Sequence, residues 1–125
     1  MKKILILTNN AVGLYRFRFE LIKSLLEQNF EVYFSLPEST KDEKVRSIVD
    51  IGAKHIQTHF NRRGMNIFED FKLVKEYIKI IKTVNPDVVL TYTIKPNVYG
   101  TFAASIYKKP VIMNITGVGS AFASS

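Results

Sequence analysis

The chain has 125 residues, 46% of them hydrophobic, with no cysteine and a formal net charge of +7. That length suits one domain with a real core and is too short for two. The composition excludes a disulfide framework and a thiolate metal site, and two histidines, His55 and His59, are too few for most histidine metal sites. The positive balance favours an anionic partner: nucleic acid, an anionic lipid surface or a phosphorylated small molecule.

The N-terminus, MKKILILTNN, places two lysines before ILIL. The apolar run is too short for a secretory signal and fits a first buried strand over 3–8. A helix is predicted over 15–28, then a strand over 31–35 (EVYFS) and a helix over 41–51 closed by Gly52. A weak strand, 54–58 (KHIQT), reads as a sheet edge. The longest helix, 67–84, ends at Asn85-Pro86, because proline disfavours helix in the residue before it. A strand over 87–91, a helix over 96–107 opened by Pro96, and a strand over 110–115 (PVIMNI) complete the pattern. Strand–helix alternation predicts an α/β fold, a Rossmann-like parallel sheet of about five strands with helices on both faces, forming one domain over 1–125. The first, fourth and fifth strands are apolar throughout, as central parallel strands are. No run reaches the roughly 18 apolar residues of a membrane span, so a cytoplasmic protein is expected.

In the 67–84 helix, Lys72, Lys75, Lys79 and Lys82 fall within an arc of about 80°. Phe71, Val74, Tyr77, Ile78, Ile81 and Val84 lie opposite. The lysines form either a solvated face or a contact with anionic lipid. They lack the interleaved aromatics of a nucleic-acid surface, and no base-reading motif accompanies them, which disfavours nucleic acid as the partner.

Ligands of open parallel sheets bind beyond the carboxyl ends of the strands. The loops there are TNNAVGLYRFR (8–18), HFNRRGMN (59–66), TYTIKPN (91–97) and ITGVGSAF (115–122). They hold Gly13, Gly64, Gly117 and Gly119, which allow close backbone approach to a ligand, although simple turn chemistry serves any one of them equally well. There is no GxGxxG, no P-loop, and no ribose-binding carboxylate at the end of the second strand, where FSLPE places Ser35 and Pro37. Arg16 shares the solvent stripe of the first helix. Arg18 falls in the apolar arc with Phe17, Leu21, Ile22, Leu25 and Leu26, so it either faces the cleft or forms a structural ion pair. Thr93, Lys95 and Asn97 stand at the exit of the fourth strand and the start of a helix. That position suits an oxyanion or sugar hydroxyl, or leaves Lys95 a solvated loop residue. No catalytic pair stands out; Glu38, Glu69 and Asp70 lie near the edge.

The stretches GLYRFRFELIKSLL, FNRRGMN, LTYTIKPNVYG and NITGVGSAF, in this order, resemble the N-terminal domain of bacterial family 4 glycosyltransferases, especially those of capsular, O-antigen, lipopolysaccharide and related surface-glycan assembly. The resemblance covers nearly the whole chain. It implies the N-terminal half of a GT-B fold, two Rossmann-like domains facing across a cleft. That half holds the acceptor, often a saccharide on a polyprenyl diphosphate at the membrane. The C-terminal half binds the nucleotide-sugar donor and is absent from this chain. Transfer then retains anomeric configuration and needs neither metal nor other cofactor. Asn9 and Gly13 are expected in the cleft, and by resemblance Gly13 lies near the donor diphosphate. Lys95, Asn97 and the segment with Thr116, Gly117 and Ser120 line the acceptor side, and Thr116 stands where many relatives have histidine.

The expected role is the acceptor-side domain of a retaining glycosyltransferase, inactive alone and peripheral on the inner face of the cytoplasmic membrane. The alternative is the acceptor-recruiting subunit of a split enzyme whose partner chain binds the donor. A shortened sheet is also expected to leave an apolar edge.

Overall fold

The computed structural model describes residues 2–59 and 67–114. Five strands, β1 (Lys3–Leu7), β2 (Glu31–Leu36), β3 (Lys54–Gln57), β4 (Val88–Tyr92) and β5 (Val111–Asn114), form one sheet in the order β3-β2-β1-β4-β5. Every pairing is parallel. The helices are α1 (Ala11–Glu27), α2 (Glu43–Asp50), α3 (Ile67–Val84) and α4 (Thr101–Ile106), the last entered through a π-helical turn, Pro96–Gly100.

The alternation of side chains in β1 explains its central place. Ile4 and Ile6 join a core with Leu14, Ile22, Phe34, Val45 and Ile48, under α1 and α2. Leu5 and Leu7 point the other way, into a core with Leu73, Tyr77, Ile81, Ala103 and Ala104, under α3 and α4. A strand covered on both faces must be apolar at every position, and KILIL is nearly that. β3 is an edge, as its mixed sequence predicts.

β5 departs from expectation. Its apolar sequence predicts a central strand, yet it is the outermost strand of the described sheet, and Ile112 and Met113 are 56% and 48% exposed. The phase of two helices also differs. Phe17, Leu21 and Phe71, placed on buried arcs by periodicity, are exposed. The buried stripe of α3 is Leu73, Tyr77, Ile80, Ile81 and Val84, rotated away from Phe71.

The helix boundaries have local causes. α1 begins four residues earlier than predicted, because the Asn10 side chain caps it by accepting from the Gly13 N–H. Asp42 caps α2 by accepting from Lys44 and Val45. After α2, Gly52 takes φ +119°, a conformation that a side chain would resist. Gly100 sits where the π-helical turn presses on the sheet. A Cβ there would stand 2.7 Å from Leu7 Cδ1 and 3.0 Å from Thr91 Cγ2.

Candidate functional site

The strand order places the crossover between β1, whose chain continues toward β2 on one side, and β4, whose chain continues toward β5 on the other. The loops leaving β1 and β4 part there and open a crevice. A cleft of about 400 Å³ occupies it, lined by Thr8, Asn9 and Asn10 from the β1–α1 turn, Gly13, Phe17 and Arg18 from α1, Tyr92 at the end of β4 and Thr93 just beyond it.

Arg18 lies two turns into α1, on the sheet side. Its Cζ stands 4.7 Å from the centroid of the Tyr92 ring, a cation–π stack, and Nη1 donates to the Phe17 carbonyl at 3.3 Å. Burial pushes the Tyr92 hydroxyl pKa up, and the adjacent guanidinium acts against that. Arg18 lines the cleft, and no carboxylate appears among the contacts described for it.

Asn9 and Asn10 are joined by a hydrogen bond from Asn10 Nδ2 to Asn9 Oδ1, 2.7 Å. Thr93 is a β-branched residue at φ +69°, a conformation costing of order 1–3 kcal/mol. Its Oγ1 is buried and has no hydrogen-bond partner among the described residues. Thr93 thus brings a strained backbone and a hydroxyl without a described partner to the cleft wall.

Glu38, which the sequence places near the edge without a role, comes to the start of α1. In the fold, β2 runs to Leu36 and Glu38 turns back across the β1–α1 turn, where Oε2 accepts from the Ala11 N–H at 2.8 Å. Its Oε1 is buried without a partner among the described residues. Nearby His55 packs on Phe34 with ring centroids 5.2 Å apart, and burial holds its imidazole pKa below the usual value.

Lys95 and Asn97 stand apart from this cleft. Lys95 Nζ is 2.9 Å from Asp70 Oδ1 of α3, and the Tyr99 hydroxyl donates to Asp70 Oδ2 at 2.9 Å. The Lys95 hydrogen bond lowers the Asp70 pKa below the ordinary carboxylate value. Lys95 therefore clamps the π-helical turn to the start of α3 and is not a solvated loop lysine. Asn97 is buried. Its Oδ1 accepts from Thr91 Oγ1 at 2.7 Å and its Nδ2 donates to the Asn114 carbonyl at 3.0 Å, stitching the turn to β4 and β5. Thr116, Gly117 and Ser120 lie outside the described residues.

Lys72, Lys75, Lys79 and Lys82 are all exposed on α3. Ile67, Phe71 and Val74 of α3 line, with Val98 and Phe102, a second hollow of about 390 Å³ to which Asp70 and Tyr99 also contribute. Ile67, Phe71, Val98 and Phe102 are each more than half exposed. Among the described residues no cluster of metal-ligating side chains occurs, and no helix is long and apolar enough to cross a membrane.

Comparison with known proteins adds a family. Residues 3–125 match the family model described as "Glycosyl transferase 4-like". The chain is 30% identical over 115 residues to the N,N'-diacetylbacillosaminyl-diphospho-undecaprenol alpha-1,3-N-acetylgalactosaminyltransferase of Campylobacter jejuni, covering 91% of this chain and 30% of that protein. It is 31% identical over 121 residues to the UDP-N-acetylglucosamine–N-acetylmuramyl-(pentapeptide) pyrophosphoryl-undecaprenol N-acetylglucosamine transferase of Buchnera aphidicola, covering 91% and 34%. The chain thus spans about a third of the length of these relatives. Among solved structures, MurG of Acinetobacter baumannii superposes with a TM-score of 0.71 at 17% identity, over 92% of this chain and 35% of that one, a likeness of fold.

Proposed function

The chain belongs to the glycosyl transferase 4-like family, and from that premise we propose that it is the acceptor-side domain of a retaining glycosyltransferase acting on a lipid-linked, surface-glycan precursor. The observation that carries the reading is the cleft at the β1/β4 crossover, where neutral amides and hydroxyls, a strained threonine and one arginine converge. Such a set binds and orients a polyhydroxylated, anionic ligand and offers no pair for acid–base chemistry. Both sequence relatives are named for transfer to sugars on an undecaprenyl diphosphate, which supports the same acceptor class. The nucleotide-sugar donor is then held by a further domain or a partner chain.

The working surface of this domain faces an anionic membrane from the cytoplasm. The lysines of α3 supply the attraction, worth about 1 kcal/mol each near such a surface. The apolar rim of Ile67, Phe71, Val98 and Phe102 supplies area to bury.

The test is transfer of sugar from a nucleotide-sugar to a lipid-diphosphate saccharide by the full-length protein as the cell makes it. Arg18→Ala is expected to cut kcat/KM at least ~10-fold with folding intact, the usual size for loss of a charged hydrogen bond to substrate. Unchanged kinetics would remove Arg18 from the site. Co-purification of a donor-binding partner with a chain of this size would assign the donor half to a separate subunit.

A further inference from the structure

Thr93 keeps a left-handed backbone, φ +69°, without help from its own side chain, since Oγ1 has no hydrogen-bond partner among the described residues. Backbone of this kind persists only where the surroundings over-determine it. The restraint lies just beyond Thr93. At Lys95 the chain is already right-handed, φ −64° and ψ −46°, so its hand reverses within two residues. Ile94 between them is 81% exposed and buries too little to fix the reversal. Asn97 holds the turn from the sheet: its N–H donates to the Thr93 carbonyl at 2.9 Å, while its side chain bonds Thr91 and the Asn114 carbonyl. Asp70 holds it from α3. Each carboxylate oxygen takes one donor, Lys95 Nζ on Oδ1 and the Tyr99 hydroxyl on Oδ2, four residues apart along the turn. The Lys95 and Asp70 side chains are 21% and 20% exposed, so the pair is largely shielded from water and attracts more strongly than an open surface pair. The turn so anchored is π-helical, a rare conformation that recurs at functional sites.

We propose that Asp70 is a positioning residue for the cleft: from outside it, on α3, it anchors Lys95 and Tyr99 and so keeps Thr93 in the strained conformation that forms the cleft wall. Lys95 then serves the site through the backbone it anchors. The inference deepens the acceptor reading and rests on it for what the cleft binds; the clamp itself stands on the geometry alone.

The experiment uses the full-length protein as the cell makes it, threonine-labelled with ¹³C and ¹⁵N. NMR reads the Thr93 Cα and Cβ shifts, which separate a left-handed from a right-handed backbone. Transfer kinetics use an undecaprenyl-diphosphate-linked N-acetylhexosamine as acceptor, with UDP-N-acetylglucosamine or UDP-N-acetylgalactosamine as donor. Asp70→Asn keeps the side-chain shape and removes the charge. It is expected to move Thr93 toward ordinary backbone shifts and to raise the acceptor KM about two- to ten-fold, the size of one ordinary hydrogen bond, with kcat within about two-fold. Tyr99→Phe, which removes one partner of Asp70 and leaves the pair with Lys95, should do the same to a smaller degree. In a Thr93→Gly background, where glycine takes the left-handed backbone freely and brings no hydroxyl, Asp70→Asn should raise KM no further. An Asp70 that served stability alone would have the same effect in both backgrounds. The proposal is overturned if Thr93 keeps its left-handed shifts in Asp70→Asn, if the acceptor KM does not change, or if the KM effect persists in Thr93→Gly. Absence of transfer by the parent protein, together with an Asp70-dependent Thr93 shift, would sink the transferase reading and leave the clamp standing.

Discussion

At the scale of single residues, close approach and charge pairing decide most of what the cleft region can tolerate. Gly100 lets the π-helical turn lie on Leu7 and Thr91, both fully buried. Leu7 has little room to yield, so Gly100→Ala is expected to destabilise by about 1–3 kcal/mol, the usual cost of overpacking, seen as a fall in the urea midpoint with an unchanged slope. Asp70 offers a pH signature. Its folded pKa is depressed by Lys95. A depressed carboxylate contributes stability that is present above its unfolded pKa, near 4, and lost as pH falls through the lower folded value. Asp70→Asn should therefore be less stable than the parent at pH 7, and the gap should narrow as the pH drops below about 4. Thermal unfolding at both pH values checks this; a gap that stays constant would mean that the pairing with Lys95 contributes nothing.

At the scale of elements, α3 carries two faces with separate duties. Its buried stripe holds the sheet, and its lysines stand clear of it. Replacing Lys72, Lys75, Lys79 and Lys82 with glutamine should leave the unfolding temperature within a few degrees. It should also lower co-sedimentation with anionic vesicles at least ~10-fold while neutral vesicles are unaffected. Equal binding of parent and variant to anionic vesicles would count against a membrane contact through this face. The lysine arc was readable in the sequence because helical periodicity is local. Arg18 was readable for the same reason: the period sets it among apolar residues, and a cation in that phase needs a partner, which proves to be Tyr92. The contacts of Glu38 and Asp70 were not, although the sequence places both residues near the edge. Glu38 meets Ala11 across 27 positions and Asp70 meets Lys95 across 25, so both contacts depend on how separate elements are placed. β5 misled because an apolar sequence records suitability for burial, while exposure is set by which neighbours the strand acquires.

At the scale of the whole molecule, all the strand pairings are parallel, and each needs a crossover. The central strand takes its second neighbour late: Ile4 of β1 pairs with Val88 of β4. During synthesis the segment KILIL therefore leaves the ribosome with only β2 available on one side. It must wait until more than eighty further residues have been translated before its other edge is covered. For that interval a nascent chain presents an apolar strand edge, the kind of surface that nascent-chain chaperones hold and that aggregation exploits. Slower translation between α1 and β4 lengthens that exposure, even though none of the intervening codons specifies a residue of the β1–β4 pair.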